Sequence, residues 1–564
     1  MAAWQNLHML SFYVHFKMCK LRKYSFKKGA CTLAENDNEQ PKKKGLSKGI
    51  IAIIIAVIVL AGGGAAAFFL TASTPKATYF QAEKNSIEQL QTFVETRYED
   101  ELNWYEQSLE NPVSQTVNLG LNLEGLENSY YADPQIIAML SNAELSINSE
   151  TDMENKQAYS DLSVNVGGMD FSGIAGYVEG PDVYAQLPFL DEVLKISDED
   201  IGSVLTQFDP YTFTGNERLG IEELVFDNEA VLLTEEEEKY IQDEYLMFIY
   251  EELPDDSFES DKEDVEVNGD SINTEKITMN LSEDELKSVI TSVLEKMKGD
   301  DEFKEILKGQ FEQTAYMPLE DPAVIEEQLN EVMAEFDNAI DQGIEQVDSF
   351  QFPDGLQSTL WVSDNKVVQR DFSISLAPEG EEPVTINLSG GQLFNDDQIY
   401  FDHTLTMNDD SEEVSIAFNG DFQGTGDTVT DNANLNFAFD DGYTPVEFAA
   451  AYTGDETLDG STRDFDRQLQ VTVENETVNL GWTGDSTYDG DQMNSNNNIA
   501  LDFPGYVENV SMDLNTEGAV IDAVEGIDTS NVVDLGAMSA EELQEYFQGD
   551  FTNQLDQWLM QFGF

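Results

Sequence analysis

Cysteine and histidine are nearly absent from this chain, which has two cysteines and three histidines among 564 residues. Both cysteines, His8 and His15 lie before residue 32, so residues 71–564 contain no cysteine and His403 alone among histidines. This composition excludes disulfide bonds, thiolate zinc sites and cysteine nucleophiles from that long part. A Ser-His-Asp triad would have to use His403, which stands in an alternating strand pattern, so we expect a structural or exposed side chain.

Positive charge is also scarce. The formal net charge is −83, and residues 71–564 contain 18 basic against 108 acidic residues. Such a field repels nucleic acid and anionic lipid head groups, so nucleic acid is excluded as a partner. Self-repulsion of this size destabilises a compact state unless salt screens it, and the Debye length falls to about 3 Å at roughly 1 M salt. We therefore interpret the acidity as a solvated, salt-adapted surface rather than a binding site.

Sequence signatures of catalysis are missing as well. The chain has no phosphate-cradling glycine-rich loop and no HExxH motif, and so many acids make chance carboxylate pairs uninformative. The sequence therefore predicts no catalytic residue, no cofactor and no metal site, and we expect no enzymatic activity.

One apolar run interrupts this polar composition. No charged residue lies between Lys48 and Lys76, and residues 50–70 are dominated by Ile, Val, Ala and Gly. About 20 apolar helical residues cross a bilayer core, where the backbone must satisfy its own hydrogen bonds. The run predicts a transmembrane helix, whose representative positions are Ile50, Ile54, Ile58, Leu60, Gly63, Phe68 and Leu70.

Basic residues before this run predict its orientation. Lys42, Lys43, Lys44 and Lys48 precede it, and basic residues stay on the cytoplasmic side. We therefore predict a single-pass protein of the cell membrane with a cytoplasmic N-terminus, an extracytoplasmic bulk and the bilayer as the partner of the helix. The alternative is an export signal cleaved after residue 67 or 72, although such signals have shorter apolar regions of about 7–15 residues.

The first 32 residues do not resemble an ordinary leader. The codons for residues 28–30, Lys-Gly-Ala, can spell a ribosome-binding sequence at a suitable distance before Leu33. Our hypothesis is that translation begins at Leu33, read as Met, so that residues 1–32 are a mis-called start. The lysines at 42–48 preserve the predicted orientation in either case.

Helical periodicity recurs along the rest of the chain. A candidate amphipathic helix runs from about Tyr79 to Leu109. Capping signals at Ser282, Asp321 and Ser539 predict three further helix starts. Helices occupy roughly 190–350, apart from the acidic stretch 251–266, which we interpret as a loop. The stripe of the first helix consists of Ile87, Leu90, Val94, Tyr98, Leu102, Tyr105 and Leu109.

Alternating apolar residues predict strands in the remaining segments. Residues 117–123 and 162–166 alternate, and a long run of alternating segments extends from about 356 to 514, joined by connections rich in Asp, Asn and Gly. Regular spacing with turn signals favours an antiparallel meander. The aromatic face of the terminal helix has to dock, most economically on the open side of this sheet.

Together these patterns predict an α+β fold. We expect a single N-terminal transmembrane helix followed by a curved antiparallel β-sheet, a half-barrel-like meander covered by helices. The predicted organisation is a basic cytoplasmic tail at 1–49, the span at 50–70, an extracytoplasmic α+β domain at 77–350, and an extracytoplasmic antiparallel meander with a C-terminal helix at 351–564. The alternative is one continuous sheet running through both halves.

Four segments resemble a known but uncharacterised family. They are "PKKKGLSKGIIAIIIAVIVLAGGGAAAFF", "TEKITMNLSEDELKSVITSVLEKMKGDDEFKEIL", "STLWVSDNKVVQRDFSISL" and "VVDLGAMSAEELQEYF". The chain resembles single-span exported proteins of Gram-positive bacteria that are classed only as a domain of unknown function. More distantly the layout is similar to the lipoprotein-carrier folds (LolA-like and LppX-like), in which helices cover a half-barrel that can enclose a lipid. This chain departs from those carriers because it lacks a lipobox cysteine and is much longer.

Two functions remain open from the sequence. The first is a membrane-anchored extracytoplasmic protein that binds an apolar or lipid ligand in a helix-covered curved sheet. The alternative is a non-catalytic structural or sensory cell-envelope protein, which would meet an envelope protein through its acidic, salt-adapted surface.

Salt dependence tests the interpretation of the acidity. We expect the isolated part of the chain after residue 76 to unfold when salt is lowered and to refold when salt is restored, because screening of the surface carboxylates is then lost and regained. Far-UV circular dichroism across a salt titration measures this, and a signal that does not change with salt would contradict the interpretation.

Overall fold

The structure is a computed structural model that describes part of the chain. It describes residues 74–561 except 124–125, 127–133, 142, 168, 227–232, 316–318, 320, 378–379, 381, 410–411, 441–444, 474–475 and 505–506.

Helices group near the start, in the middle and at the end of the described chain. The capping boxes at Ser282 and Ser539 and the N-cap at Asp321 are confirmed, because each side chain accepts a hydrogen bond from the first turn of its helix. The helices are α1 (Pro75–Arg97), α2 (Glu99–Glu110), α3 (Pro134–Leu140), α4 (Ile201–Phe208), α5 (Glu235–Ile241), α6 (Met247–Glu252), α7 (Glu283–Gly299), α8 (Asp301–Ala315), α9 (Pro322–Gln346), α10 (Ala540–Tyr546) and α11 (Thr552–Met560).

Strands form most of the rest, with side chains that alternate between the two faces of the sheet. They are β1 (Val113–Asn122), β2 (Glu144–Asp152), β3 (Gln157–Val166), β4 (Met169–Glu179), β5 (Asp182–Gln186), β6 (Val193–Ser197), β7 (Phe258–Val267), β8 (Asp270–Leu281), β9 (Leu356–Ser363), β10 (Lys366–Leu376), β11 (Val384–Phe394), β12 (Gln398–Asn408), β13 (Glu413–Gln423), β14 (Thr428–Asp440), β15 (Val446–Asp459), β16 (Thr462–Val473), β17 (Glu476–Asp489), β18 (Gln492–Phe503), β19 (Val507–Val520) and β20 (Val532–Asp534).

Pairing joins these strands into one 20-stranded sheet. The sheet runs from β20 through β6, β5, β4, β3, β2 and β1 to β19, and then in descending order from β18 to β7. Only the β20–β6 pair is parallel among the described strands. β8 pairs with β9, so hydrogen bonds join strands on the two sides of residue 350; the division into two domains there stays a prediction.

Most neighbours from β7 to β19 are hairpin partners. The turn between β9 and β10 shows the local cause, because Asp364 and Asn365 both adopt positive φ, of 51° and 58°. Two consecutive positive φ values produce the type of turn whose twist matches the twist of the flanking strands, and Asp and Asn tolerate this conformation better than most residues. No turn explains the β1–β19 pair, because it brings Val113 opposite Val520, which lies far away in the sequence.

The terminal helices dock near the β20 edge. Leu535 and Leu543 form a buried cluster with Leu194 of β6 and Val204 of α4. Trp558 of α11 packs against Phe171 of β4 with the ring centroids 5.8 Å apart.

Helices α1 and α2 cross the face of the sheet. Tyr79 shares a hydrogen bond of 2.6 Å with Ser358 of β9, and Glu101 accepts one of 2.7 Å from Arg463 of β16. The 22 residues between these contacts span about 33 Å of helix, and the seven strand spacings from β9 to β16 span about 34 Å. The two helices therefore run nearly perpendicular to the strands. We call the face that they contact the helix face.

Buried ion pairs hold the two helices to the sheet. Glu83 accepts a hydrogen bond of 2.8 Å from Arg370. Arg97 donates one of 2.6 Å to Asp431, and both side chains are only 2% exposed. Each pair joins a helix residue to a strand residue far away in the sequence.

Glu456 of β15 completes the same network. It accepts hydrogen bonds from Arg463 at 2.5 Å and from Arg467 at 2.6 Å, and its side chain is fully buried. Arg463 also donates to the main-chain carbonyl of Arg97. Although burial alone would raise the pKa of Glu456, Arg467 and Arg463 hold it below its usual value. Glu456 is therefore a carboxylate at neutral pH.

The charged forms of Glu83 and Asp431 are less well stabilised than that of Glu456. Burial raises the pKa of Glu83, and Arg370 offsets only part of the effect. Burial likewise raises the pKa of Asp431 despite its bond to Arg97. Each of these carboxylates also has one buried oxygen without a hydrogen-bond partner. They are the weaker members of the network.

The predicted fold class is wrong. The described strands form a single 20-stranded sheet, not a half-barrel meander covered by helices, so the LolA-like layout is wrong too. No helix in the described part is long and apolar enough to cross a bilayer. That finding corrects the predictions of a single-pass protein and of a location in the cell membrane. The predicted span, residues 50–70, lies outside the described residues.

The interpretation of residues 251–266 as a loop is also wrong. Phe258–Val267 forms β7, which lies at the edge of the sheet and pairs with β8. Its acidic and basic side chains are exposed. Charges on an edge strand discourage pairing with other chains. In the sequence, the same charges hide the apolar alternation that would predict a strand.

The buried pair of Arg97 and Asp431 gives the first structural prediction. Arg97→Met leaves Asp431 buried without its partner, so we expect the free energy of unfolding to fall by about 3–5 kcal/mol. Urea unfolding at high salt, followed by tryptophan fluorescence, measures the change.

Two further variants are its controls. Arg218→Met removes an exposed pair with Glu199 at 3.9 Å and should cost about 0–1 kcal/mol. Adding Asp431→Leu to Arg97→Met removes the orphaned charge and should restore most of the loss. Equal losses for Arg97→Met and Arg218→Met would contradict the assignment.

Candidate functional site

The helix face has two unlike halves. Asn85 of α1 donates to the carbonyl of Asn365, in the β9–β10 turn, at 2.8 Å. Gln89 donates to Asp396, in the β11–β12 turn, at 3.1 Å. α1 therefore lies over the strand ends that these turns join, which we call the turn end. We call the other ends of the strands the far end.

Apolar side chains cover the helix face toward the far end. Their shared face follows from the register, because directly paired residues lie on the same face. We call them the apolar band: Ile386, Leu388, Leu405, Met407, Val414, Ile416, Phe418, Leu435, Phe437, Phe439, Phe448, Leu469, Val471, Val473, Val478, Leu480, Ile499, Leu501 and Met512.

The apolar band remains accessible to solvent. All its members are half-buried or exposed, and Phe418 is 45%, Leu501 38% and Leu435 37% exposed. On the same face at the turn end, Asp431 and Glu456 are buried beneath α1 and α2. Buried carboxylates therefore share the turn end of this face with buried apolar residues such as Val429 and Phe465, whereas the apolar band is accessible toward the far end.

The apolar side of α1 is exposed as well. Ile87, Leu90 and Val94, which we call the α1 stripe, are 46%, 38% and 43% exposed. An amphipathic helix normally buries its stripe. The buried residues of α1 include instead Tyr79, Phe80, Glu83, Phe93 and Arg97.

The α1 stripe faces the apolar band. At 3.6 residues per turn, it lies about half a turn around α1 from Asn85 and Gln89, which contact the turns. The stripe therefore points away from the turn end, toward the far half of the helix face. The apolar band as floor and the α1 stripe as wall form an open apolar surface, which we call the trough.

His403 marks the border between the two halves. It lies directly opposite Phe418 of the apolar band, and its Nε2 is 3.2 Å from the side-chain oxygen of Gln392. A Cβ at position 390 would collide with the His403 ring, so Gly390 creates the space that the ring occupies.

The electrostatics of His403 favour a neutral ring. Burial, with a contribution from the nearby Arg370, lowers its pKa to about 4. A catalytic triad needs a histidine bonded to a carboxylate and to a nucleophile, whereas the hydrogen-bonding partner of Nε2 is an amide.

A second depression lies on the opposite face of the sheet. This shallow cleft has a volume of about 450 Å³, and its lining includes Ser114, Thr116, Asp489, Asn494 and Glu517. Its side chains are mostly polar and it is open to water. Within the described ranges, no group of three or more His, Cys, Asp or Glu side chains is arranged to hold a metal ion.

Site residues predicted from the sequence fall outside this region. The transmembrane positions Ile50, Ile54, Ile58, Leu60, Gly63, Phe68 and Leu70 and the topology lysines Lys42, Lys43, Lys44 and Lys48 lie outside the described residues. The sequence did reveal most members of the apolar band as alternating strand residues, but not Leu405, Met407, Phe448 and Met512. It did not reveal that they would remain accessible.

Comparisons with known proteins add little. No protein-family model and no curated protein matches the chain, and the resemblance to an uncharacterised Gram-positive family stays a prediction. Similar solved structures include the outer membrane protein OmpT of Vibrio cholerae in a trimer form, at 7% identity, 72% coverage of this chain, 98% of that chain and a TM-score of 0.20. OprB of Pseudomonas putida at low pH has 5% identity, coverages of 74% and 94% and a TM-score of 0.20. OccAB4 of Acinetobacter baumannii has 6% identity, coverages of 73% of this chain and 97% of that chain, and a TM-score of 0.22. At these TM-scores the similarities carry no argument about fold or function.

The lowered pKa of His403 predicts a specific pH dependence. Between its ordinary value of 6.5 and about 4, the unfolded chain binds a proton that the folded chain does not, so this residue lowers stability as pH falls through that window. His403→Gln removes the contribution. Relative to the variant, we expect the native protein to lose about 1–2 kcal/mol between pH 7 and pH 4, after allowance for the solvated part of the ring.

Urea unfolding of both proteins at constant high salt measures this difference, and the titration of the carboxylates cancels in the comparison. A difference in stability that stays constant with pH would contradict the assignment.

Proposed function

We propose that this protein is a non-catalytic binding protein that takes up long-chain apolar molecules of the lipid class in the trough. The observation that carries the proposal is the exposure of Phe418, Leu435 and Leu501 on one continuous apolar face of a highly acidic chain. Contiguous exposed apolar patches on soluble surfaces usually mark binding sites.

The free energy available supports such a ligand. Burying one large apolar side chain completely contributes about 1.5–3 kcal/mol. A side chain that is already half-buried contributes only part of this when a ligand covers the rest. A ligand that covers several members of the apolar band therefore gains enough free energy to bind, even after it loses its own freedom of motion.

The dimensions of the band suit an extended hydrocarbon chain. Leu388, Leu405, Ile416, Phe437 and Phe448 stand opposite one another on five consecutive strands. This row spans four strand spacings, or about 19 Å. One leaflet of a bilayer core is about 15 Å thick, so the row accommodates a full acyl chain lying across the strands.

Charge argues against a second copy of the chain as the occupant. Each copy has a net charge of −83, so pairing two trough faces would bring strongly like-charged bodies together. A small apolar ligand covers the same surface without this repulsion.

Polar substitutions in the trough test the proposal. Phe418→Ser with Leu435→Ser removes two exposed apolar contacts, so we expect the affinity for an uncharged fluorescent monoacylglycerol to fall by at least about tenfold. Fluorescence titration of the full-length protein at high salt, with the probe below its micelle concentration, measures the affinity.

The matched control replaces two exposed apolar side chains elsewhere. Ile136→Ser on α3 with Met560→Ser on α11 should leave the affinity unchanged, since these residues are 53% and 69% exposed and lie outside the trough. Failure of the native protein to bind the probe, or equal loss in both double variants, would refute the proposal.

A further inference from the structure

We infer that the trough selects long-chain amphiphiles whose polar end is uncharged or positively charged, and that it rejects anionic ones. This inference rests on the proposed function and specifies its ligand class.

The polar end of a ligand has to remain in water, since burying an unpaired polar group is unfavourable. At the turn end, the helix face is closed by α1, α2 and the buried carboxylates Asp431 and Glu456. Toward the far end the members of the apolar band remain accessible. A chain lying in the trough therefore presents its polar group along the far end.

Acidic side chains line the far end. Between residues 371 and 561 the sequence has only two basic residues, Arg463 and Arg467, and both bind Glu456 in the buried network. We call the following exposed residues the far rim: Glu382, Glu412, Glu413, Asp440, Glu447 and Glu476.

The far rim carries acidic side chains on both faces of the strand ends. Glu476 of β17 lies directly opposite Val473 of the apolar band and so shares its face, whereas Glu413 and Asp440, which lie opposite each other, are on the other face. A cationic polar group at the far rim is attracted by this negative field, an uncharged one is unaffected, and an anionic one is repelled. The electrostatic field of the rim therefore ranks ligands by the sign of their polar end.

Three probes with the same fluorescent acyl chain test the inference on the full-length protein. Their polar ends are trimethylammonium, glycerol and sulfate. At about 0.1 M salt, where the Debye length is about 10 Å, we expect the sulfate probe to bind at least about tenfold more weakly than the glycerol probe, given Coulomb repulsion from several carboxylates. At about 1 M salt the difference should nearly disappear, because the Debye length falls to about 3 Å. Circular dichroism verifies that the protein is folded at both salt concentrations.

A charge-reversal variant separates the far rim from the net charge. In Glu382→Lys/Glu412→Lys/Glu476→Lys, which changes rim residues before β11 and β13 and on the helix face of β17, the sulfate probe should bind at about 0.1 M salt as tightly as the glycerol probe. The matched control, Glu259→Lys/Asp264→Lys/Glu266→Lys, makes the same change in net charge with exposed residues of β7 and should keep the discrimination.

The outcomes distinguish the inference from the function on which it rests. Equal binding of the sulfate and glycerol probes to the native protein at about 0.1 M salt would overturn the inference and leave the proposed function standing. Discrimination that is lost equally in both triple variants would also overturn it, because the net charge rather than the far rim would then be responsible. Binding of none of the three probes would refute the proposed function itself.

Discussion

The bonds between arginine and carboxylate beneath α1 and α2 are the interaction on which the rest of the structure depends. Five arginines follow residue 70, and four of them, Arg97, Arg370, Arg463 and Arg467, bind carboxylates in this network. Arginine suits this role because its planar group remains charged when buried and donates several hydrogen bonds at once. In a chain so rich in acids, positive charge is the scarce component, and most of its arginine lies between the helices and the sheet.

This network lies in the contact between α1 and the sheet. Glu83 and Arg97 are buried there together with Tyr79, Phe80 and Phe93, while the α1 stripe stays exposed. Buried ion pairs contribute little net stability compared with apolar packing, but they can fix one orientation among several. Here the orientation has a structural consequence, since it holds α1 over the turn end and leaves the apolar band of the far half accessible. The trough is therefore bounded by a helix whose contact with the sheet combines ion pairs with apolar packing.

Local chemistry was predictable from the sequence, whereas contacts between distant segments were not. The helix starts at Ser282, Asp321 and Ser539 were predictable because a capping side chain accepts a hydrogen bond from the first turn of its own helix. The hairpin strands followed from alternation and turn residues. The orientation of α1 could not be predicted, because the bond between Arg97 and Asp431 joins residues 334 positions apart. The same holds for the β1–β19 pair that completes the sheet, and β7 was concealed by its charged edge.

The central claim is that accessible apolar surface on the helix face, bounded by α1, receives a hydrocarbon chain. Photolabelling tests it most directly, with an uncharged monoacylglycerol that carries a diazirine at the end of its acyl chain, irradiated with the full-length protein and mapped by peptide mass spectrometry. The account predicts labels on members of the apolar band and on Ile87, Leu90 or Val94, and their loss when an unlabelled monoacylglycerol competes. Labels confined to the opposite face of the sheet or to α7–α9, or labels that competition does not remove, would contradict it.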